Sequence, residues 1–244
     1  AAALGLTVLV SSSLVFADGE SGAEQLRQFV RNSKTAEGEF VQQQLRTPKA
    51  NEPQDKGLKV VRQTQGRFVF QRPGRFIWDT QKPYEQKLIM DGKQLLMWDK
   101  DLNQLTVRLA NQALAASPAA ILFGDAALDQ QFDLEEAGTK TNLQWVNLKP
   151  KAKSGQGDLP YTQIAIGMSS GLPRALELTD GFGSMVLVIF NQMQVNPSVD
   201  ASRFQLKPPQ GAEPVPDGRR LVFHAAPHIT GLKGPLDVSA TRQP

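Results

Sequence analysis

His224 and His228 are the first residues to test for chemistry, because a His-x-x-x-His spacing puts two imidazoles on one face of a helix, where a metal could bridge them. Pro227 lies between them and breaks such a helix. These are the only histidines, and both fall in the last stretch of the chain. The body therefore offers no imidazole for a Ser-His-Asp relay or a His-ligated metal. Cysteine is absent altogether, which removes thiolate ligands, thiol nucleophiles, disulfides and the acylated N-terminal Cys of a lipoprotein. Paired carboxylates are the remaining route to acid-base chemistry. Glu135 and Glu136 are neighbours on a predicted strand and point to opposite faces. Asp91, Asp99 and Asp180 sit where turns favour Asp. There is no Gly-rich phosphate loop. These observations point away from an enzyme, with no metal and no organic cofactor expected. One side chain of another kind stands out. Arg72 opens the turn Arg72-Pro73-Gly74 beside an aromatic strand. Its guanidinium offers five donors, although an arginine so placed also reads simply as a solvated turn residue.

Charge narrows the partners. The chain has a formal charge of +3 and a pI near 9.2. From Arg219 onward, Arg219, Arg220, Lys233 and Arg242 face a single acid, Asp237, so that tail accounts for all of it. The remainder carries 23 basic and 23 acidic residues. A neutral body provides no phosphate-tracking groove, so nucleic acid is not expected.

The elements that must position these residues follow from periodicity. Residues 1–17 are uncharged and largely apolar, and Val15-Phe16-Ala17 precedes Asp18 in the manner of a signal-peptidase site. With no Met and no basic segment ahead of it, this stretch is expected to be a signal peptide whose start is missing, removed near Asp18. Leu26, Phe29, Val30 and Ala36 fall at helical spacing. Glu39 to Leu45 reads as a strand, and Arg46 to Gly57, with Pro48 and Pro53, as a loop. From Leu58 to Asp99 the period changes to two: Phe68 and Phe70 share a face, as do Phe76 and Trp78, and Asp91-Gly92 marks a tight hairpin. Leu102 to Leu109 reads as a further strand. Residues 110–127 are Ala-rich and predict helix, with Ser117 as N-cap, Pro118 at the start and Gly124 at the end. Strands return at Phe132–Glu136, Leu143–Leu148, Thr162–Met168, Ala175–Leu178 and Ser184–Val195, with turns at Gly138, Ser170-Gly171, Asp180-Gly181 and Asn196-Pro197. Arg203 to Lys207 is read as a last short strand. Such a chain is mainly β (α+β) and forms one antiparallel sheet, closed or nearly so. Ser184 to Phe190 is apolar on both faces, so part of the inner surface must meet helices or an apolar ligand. The body spans 18–218, and the basic tail 219–244 is expected to be disordered.

Three motifs in order carry a resemblance: the strand Arg72-Pro73-Gly74-Arg75-Phe76-Ile77-Trp78, the hairpin Asp91-Gly92-Lys93 with a strand ending Met97-Trp98, and Phe204-Gln205-Leu206-Lys207-Pro208-Pro209-Gln210-Gly211. Together they resemble the periplasmic outer-membrane lipoprotein carriers, the LolA family, over roughly residues 18–217. The resemblance implies an unclosed antiparallel β-barrel of about eleven strands with a helical lid over an apolar cavity. It implies a monomeric periplasmic chaperone that takes the acyl chains of outer-membrane lipoproteins from an inner-membrane ABC transporter of the Lol system. Delivery is to the outer-membrane receptor LolB. The same fold also serves an alternative, an envelope sensor of lipid or lipoprotein that acts on an anti-sigma factor. Large, adaptable apolar surface for the cavity would come from Phe68, Phe70, Phe76, Trp78, Met90, Met97, Trp98, Met168 and Met185, with Ile121 and Leu122 from the lid. Each of these also suits an ordinary core, so the argument rests on a shared face. The resemblance makes Arg72 the lid switch, bonded to helix carbonyls expected within residues 120–124.

Overall fold

Ser21 starts the fold. Its hydroxyl accepts from the Glu24 N–H at 3.3 Å and caps helix α1, Gly22–Asn32. The stripe Leu26, Phe29, Val30 is buried, as its spacing predicts. Ala36 does not extend that helix. It lies in β1, Thr35–Arg46, where its burial serves a strand face.

The computed structural model describes residues 20–53, 57–109, 122, 128–151, 161–205 and 213–215. After β1 come β2 (Lys59–Gln71), β3 (Arg75–Lys82), β4 (Gln86–Asp91), β5 (Gln94–Asp99) and β6 (Gln104–Leu109). A single helical turn, α2 (Leu128–Gln131), leads into β7 (Phe132–Lys140), β8 (Leu143–Pro150), β9 (Tyr161–Ser169), β10 (Leu172–Asp180) and β11 (Met185–Val195). A 3-10 turn, Ala201–Phe204, precedes the short β12, Glu213–Val215. The strands form one sheet in the order β12-β6-β5-β4-β3-β2-β1-β11-β10-β9-β8-β7. Strands β1 to β11 pair antiparallel, and β12 adds parallel to β6. The edges β7 and β12 do not meet, so the barrel is unclosed.

Alternation along each strand sorts the side chains onto two faces. The inner face and the apolar stripe of α1 form one continuous core that includes Phe40, Phe68, Phe70, Phe76, Trp78, Met90, Ile166, Met168, Val188 and Phe190. The outer face carries two small clusters: Val69, Ile77 and Ile89 under Phe204, and Trp145, Ala165 and Ala175.

Three local expectations are corrected. Gly138 makes no turn. It sits at φ +77° in a bulge between Glu136 and Thr139, β7 runs on, and the reversal falls at Thr141-Asn142, both at positive φ. Arg203 does not start a strand. Asp200 accepts from the Ser202 N–H and winds the chain into the 3-10 turn, which drives Phe204 onto the outer cluster. The second apolar face of β11 is not part of the interior: Leu187 packs on the outer Trp145 cluster, and Ile189 is exposed. The helices expected in 110–127, the signal peptide and the basic tail lie outside the described residues, Leu122 excepted.

Candidate functional site

The interior is built by strands that each contribute every second residue. Phe40 of β1 stacks on Trp78 of β3 with ring centroids 3.7 Å apart and planes 18° apart. Phe190 of β11 meets Phe68 edge-on at 5.5 Å and Trp78 at 6.5 Å. Phe29 of α1 reaches Phe70 at 6.2 Å. This surface is large, apolar and aromatic, and it lies on the side of the sheet that α1 and Leu122 cover. Tyr161, half-buried against it, has its phenol pushed above the usual range by burial and then by the Asp180 charge. Among the described residues, no group of His, Cys, Asp and Glu gathers to hold a metal.

At the rim stands Arg72, in the turn between β2 and β3. Its backbone N–H donates to Lys34 O at 2.8 Å, which fixes the turn against the α1–β1 connection. The side chain then reaches backbone carbonyls. Nε donates to Ser33 O at 3.0 Å, and Nη2 donates to Leu122 O at 2.7 Å. Its Cζ lies 5.0 Å from the Phe70 ring centroid. Ser33 is the C-cap of α1, where helix carbonyls lack intrahelical donors and carry partial negative charge. Arg72 thus joins the end of α1 to the Leu122 segment across the edge of the apolar interior.

Helix α1 is itself tied to the sheet. Glu136 Oε1 accepts from the Ala23 N–H at 2.9 Å. The buried Gln25 donates to Glu20 O and to Gln144 Oε1, and its own Oε1 accepts from the Gly171 N–H at 2.9 Å. Gly22 lies so close to β8 that a Cβ there would stand 2.8 Å from Val146 Cγ2 and 3.1 Å from Gln144 O.

Of the residues expected to line a cavity, Phe68, Phe70, Phe76, Trp78, Met90, Leu122 and Met168 share the inner core, and Met97 packs against it. Two do not. Trp98 follows Met97 on β5 and so projects from the opposite face, opposite Leu105 and Lys87. Met185 alternates with Val186 and projects from the outer face of β11. Ile121 lies outside the described residues. Sequence reasoning passed over Phe40 and Phe190, whose strand positions could have revealed them. It also missed Ser33 O, which no side-chain motif signals.

Comparison with known proteins adds to this geometry. The family model described as "Outer membrane lipoprotein carrier protein LolA" matches residues 31–207. An outer-membrane lipoprotein carrier protein from Ralstonia nicotianae is 45% identical over 84% of this chain and 92% of its own. One from Cupriavidus taiwanensis is 43% identical over 79% of this chain and 87% of its own. Among solved structures, a LolA superfamily protein from Nitrosomonas europaea aligns with 77% of this chain and 98% of its own, at 10% identity and a TM-score of 0.45.

Proposed function

We propose, for a chain that belongs to the LolA family of outer membrane lipoprotein carrier proteins, that the inner face holds the acyl chains of its cargo and that Arg72 governs their exchange. The protein is a lipoprotein carrier, and its task is binding and release. The observation that carries the finer reading is the Arg72 bridge between Ser33 O and Leu122 O at the edge of an aromatic interior.

The energetics suit a reversible hold. Each buried CH₂ contributes about 0.8 kcal/mol, so one long acyl chain represents roughly 10 kcal/mol. Hydrogen bonds from a charged donor contribute about 1.5–3 kcal/mol each. An entering chain can therefore displace the Arg72 bonds, while their re-formation favours expulsion once a receptor offers the chain another apolar site. The Phe40-Trp78 stack and its edge-on partners adapt by rotamer rather than by chemistry. In this reading the carrier works in the periplasm as a monomer. It is loaded by an inner-membrane ABC transporter of the Lol system and unloaded by LolB.

The test is selective binding. Purified protein should form a soluble complex with an acylated lipoprotein and none with the same polypeptide lacking its acyl chains. Equal binding of both forms would overturn the reading.

A further inference from the structure

Exposed large apolar side chains are unevenly placed among the described residues. Leu58, Val60, Val61 and Phe182 gather at one end of the sheet, where Leu102 also lies in the β5–β6 turn; Ile189 is in mid-strand. The tip of the β1–β2 hairpin and the β10–β11 turn adjoin there. Leu45 pairs with Val60 on one side and with Met185 on the other, and a Cβ on Gly183 would lie 3.8 Å from Thr47 Oγ1. Strand β2 meets β3 only from Gln65 onward, so Lys59 to Thr64 projects past its neighbour. Val60 and Val61 point to opposite faces, yet they are 46% and 48% exposed.

Phe182 is 96% exposed, and the backbone that displays it is organised. Asp180 Oδ1 accepts from the Phe182 N–H at 2.8 Å and from the Ser184 N–H at 2.9 Å. The Asp180 N–H donates to Ser184 O at 2.9 Å, and Gly183, at φ +78°, closes the turn. The ring is thus presented to solvent by a hydrogen-bonded turn rather than by a slack loop. The adjoining ends of β1 and β2 are rich in basic residues. Among the described residues of 45–62, Arg46, Lys49, Lys59 and Arg62 stand against one acid, Glu52, a net +3. The carboxyl of Glu52 is held well below its usual range by Arg46, then by Lys59 and the Lys49 N–H. Arg62 lies over the Tyr84 ring, 4.5 Å from its centroid.

We propose that this end docks on a bilayer surface bearing anionic phospholipids, with Phe182 as the inserted anchor and the β1–β2 hairpin as the electrostatic contact. An aromatic tip with flanking aliphatic and basic residues matches the chemistry of a membrane interface, where rings enter the headgroup layer and cations meet lipid phosphates. The apolar groups stand on two separate protruding tips. A protein partner would need a pit shaped to each, whereas a fluid interface accepts them as they stand. Arg72 lies at the far end of β2, a strand of 13 residues and roughly 40 Å. Docking therefore leaves the Arg72 closure clear of the surface.

Vesicles free of lipoprotein test this apart from cargo binding. The protein should co-sediment with vesicles of phosphatidylcholine and phosphatidylglycerol (7:3), and much less with phosphatidylcholine alone or in 0.5 M NaCl. Phe182→Ser should weaken binding about tenfold. The chain has no cysteine, so Gly181→Cys, beside the anchor and with room for a side chain, and, at the opposite end, Lys93→Cys each accept one environment-sensitive dye. The first should report an apolar environment on binding and the second should not. No binding, equal binding by Phe182→Ser, a response from the Lys93 site alone, or capture of this end by a purified protein partner without lipid would each overturn the proposal.

Discussion

Helix α1 and Leu122 meet at Arg72, and they are held differently. Helix α1 is fastened by groups of its own and of the sheet: Gln25 to Gln144 and Gly171, Glu136 to Ala23, and Gly22 in close contact with β8. Leu122 is buried in the core, and its carbonyl is held by a side chain from a strand turn, Arg72. In α1 the bonds lie along the whole N-terminal half of the helix, so no single one controls it. At Leu122 a charged donor at the rim carries the bond. On the proposed function, the contrast separates a permanent wall from a cover that cargo displaces.

Substitutions in α1 should break stability and leave lipid exchange alone. Gln25→Ala should have the largest effect, about 2 kcal/mol, because it removes a buried side chain and strands the half-buried Gly171 N–H and Gln144 amide. Thermal denaturation should show Tm lower by about 4–8 °C. Gly22→Ala should cost about 1.5 kcal/mol, since the added methyl presses on Val146 and the Gln144 carbonyl. Denaturant titration would measure it as a lower midpoint with an unchanged slope. Arg27→Ala removes an exposed ion pair with Asp129, 3.1 Å long, and should cost no more than about 0.5 kcal/mol. That small difference should vanish in 1 M salt. If any of the three altered lipoprotein release while leaving uptake intact, the distinction between wall and cover would fail.

Much of this was legible in the sequence, and the misses have physical causes. Asp91-Gly92 marked its hairpin because the Asp91 carboxylate accepts from the Lys93 and Gln94 N–H groups, a local arrangement with a local signature. Phe68, Phe70, Phe76 and Trp78 share a face because no bulge interrupts that alternation. Gly138 misled because a bulge glycine and a turn glycine look alike in one dimension. Met97 and Trp98 both look like interior residues by type, although neighbours on a strand must face opposite ways. The anchoring of α1 was not legible at all. Gln25, Gln144 and Gly171 are brought together only by the tertiary fold. The same holds for Ser33 O, a backbone acceptor that any residue type would supply.

The central claim is that Arg72 holds a cover that cargo must displace, and a transfer assay that times uptake and release separately tests it most directly. Arg72→Leu removes the donors to Ser33 O and Leu122 O and adds apolar surface at the rim. Uptake of an acylated lipoprotein should persist, and release to the receptor should slow at least about tenfold, since the bonds that favour expulsion are worth about 1.5–3 kcal/mol each. Arg72→Lys should fall between, because an ammonium keeps the charge without the planar fork. Tm should change little beside Gln25→Ala. Release by Arg72→Leu at the wild-type rate would contradict the account and leave Arg72 a hydrogen-bonded turn arginine with no part in exchange.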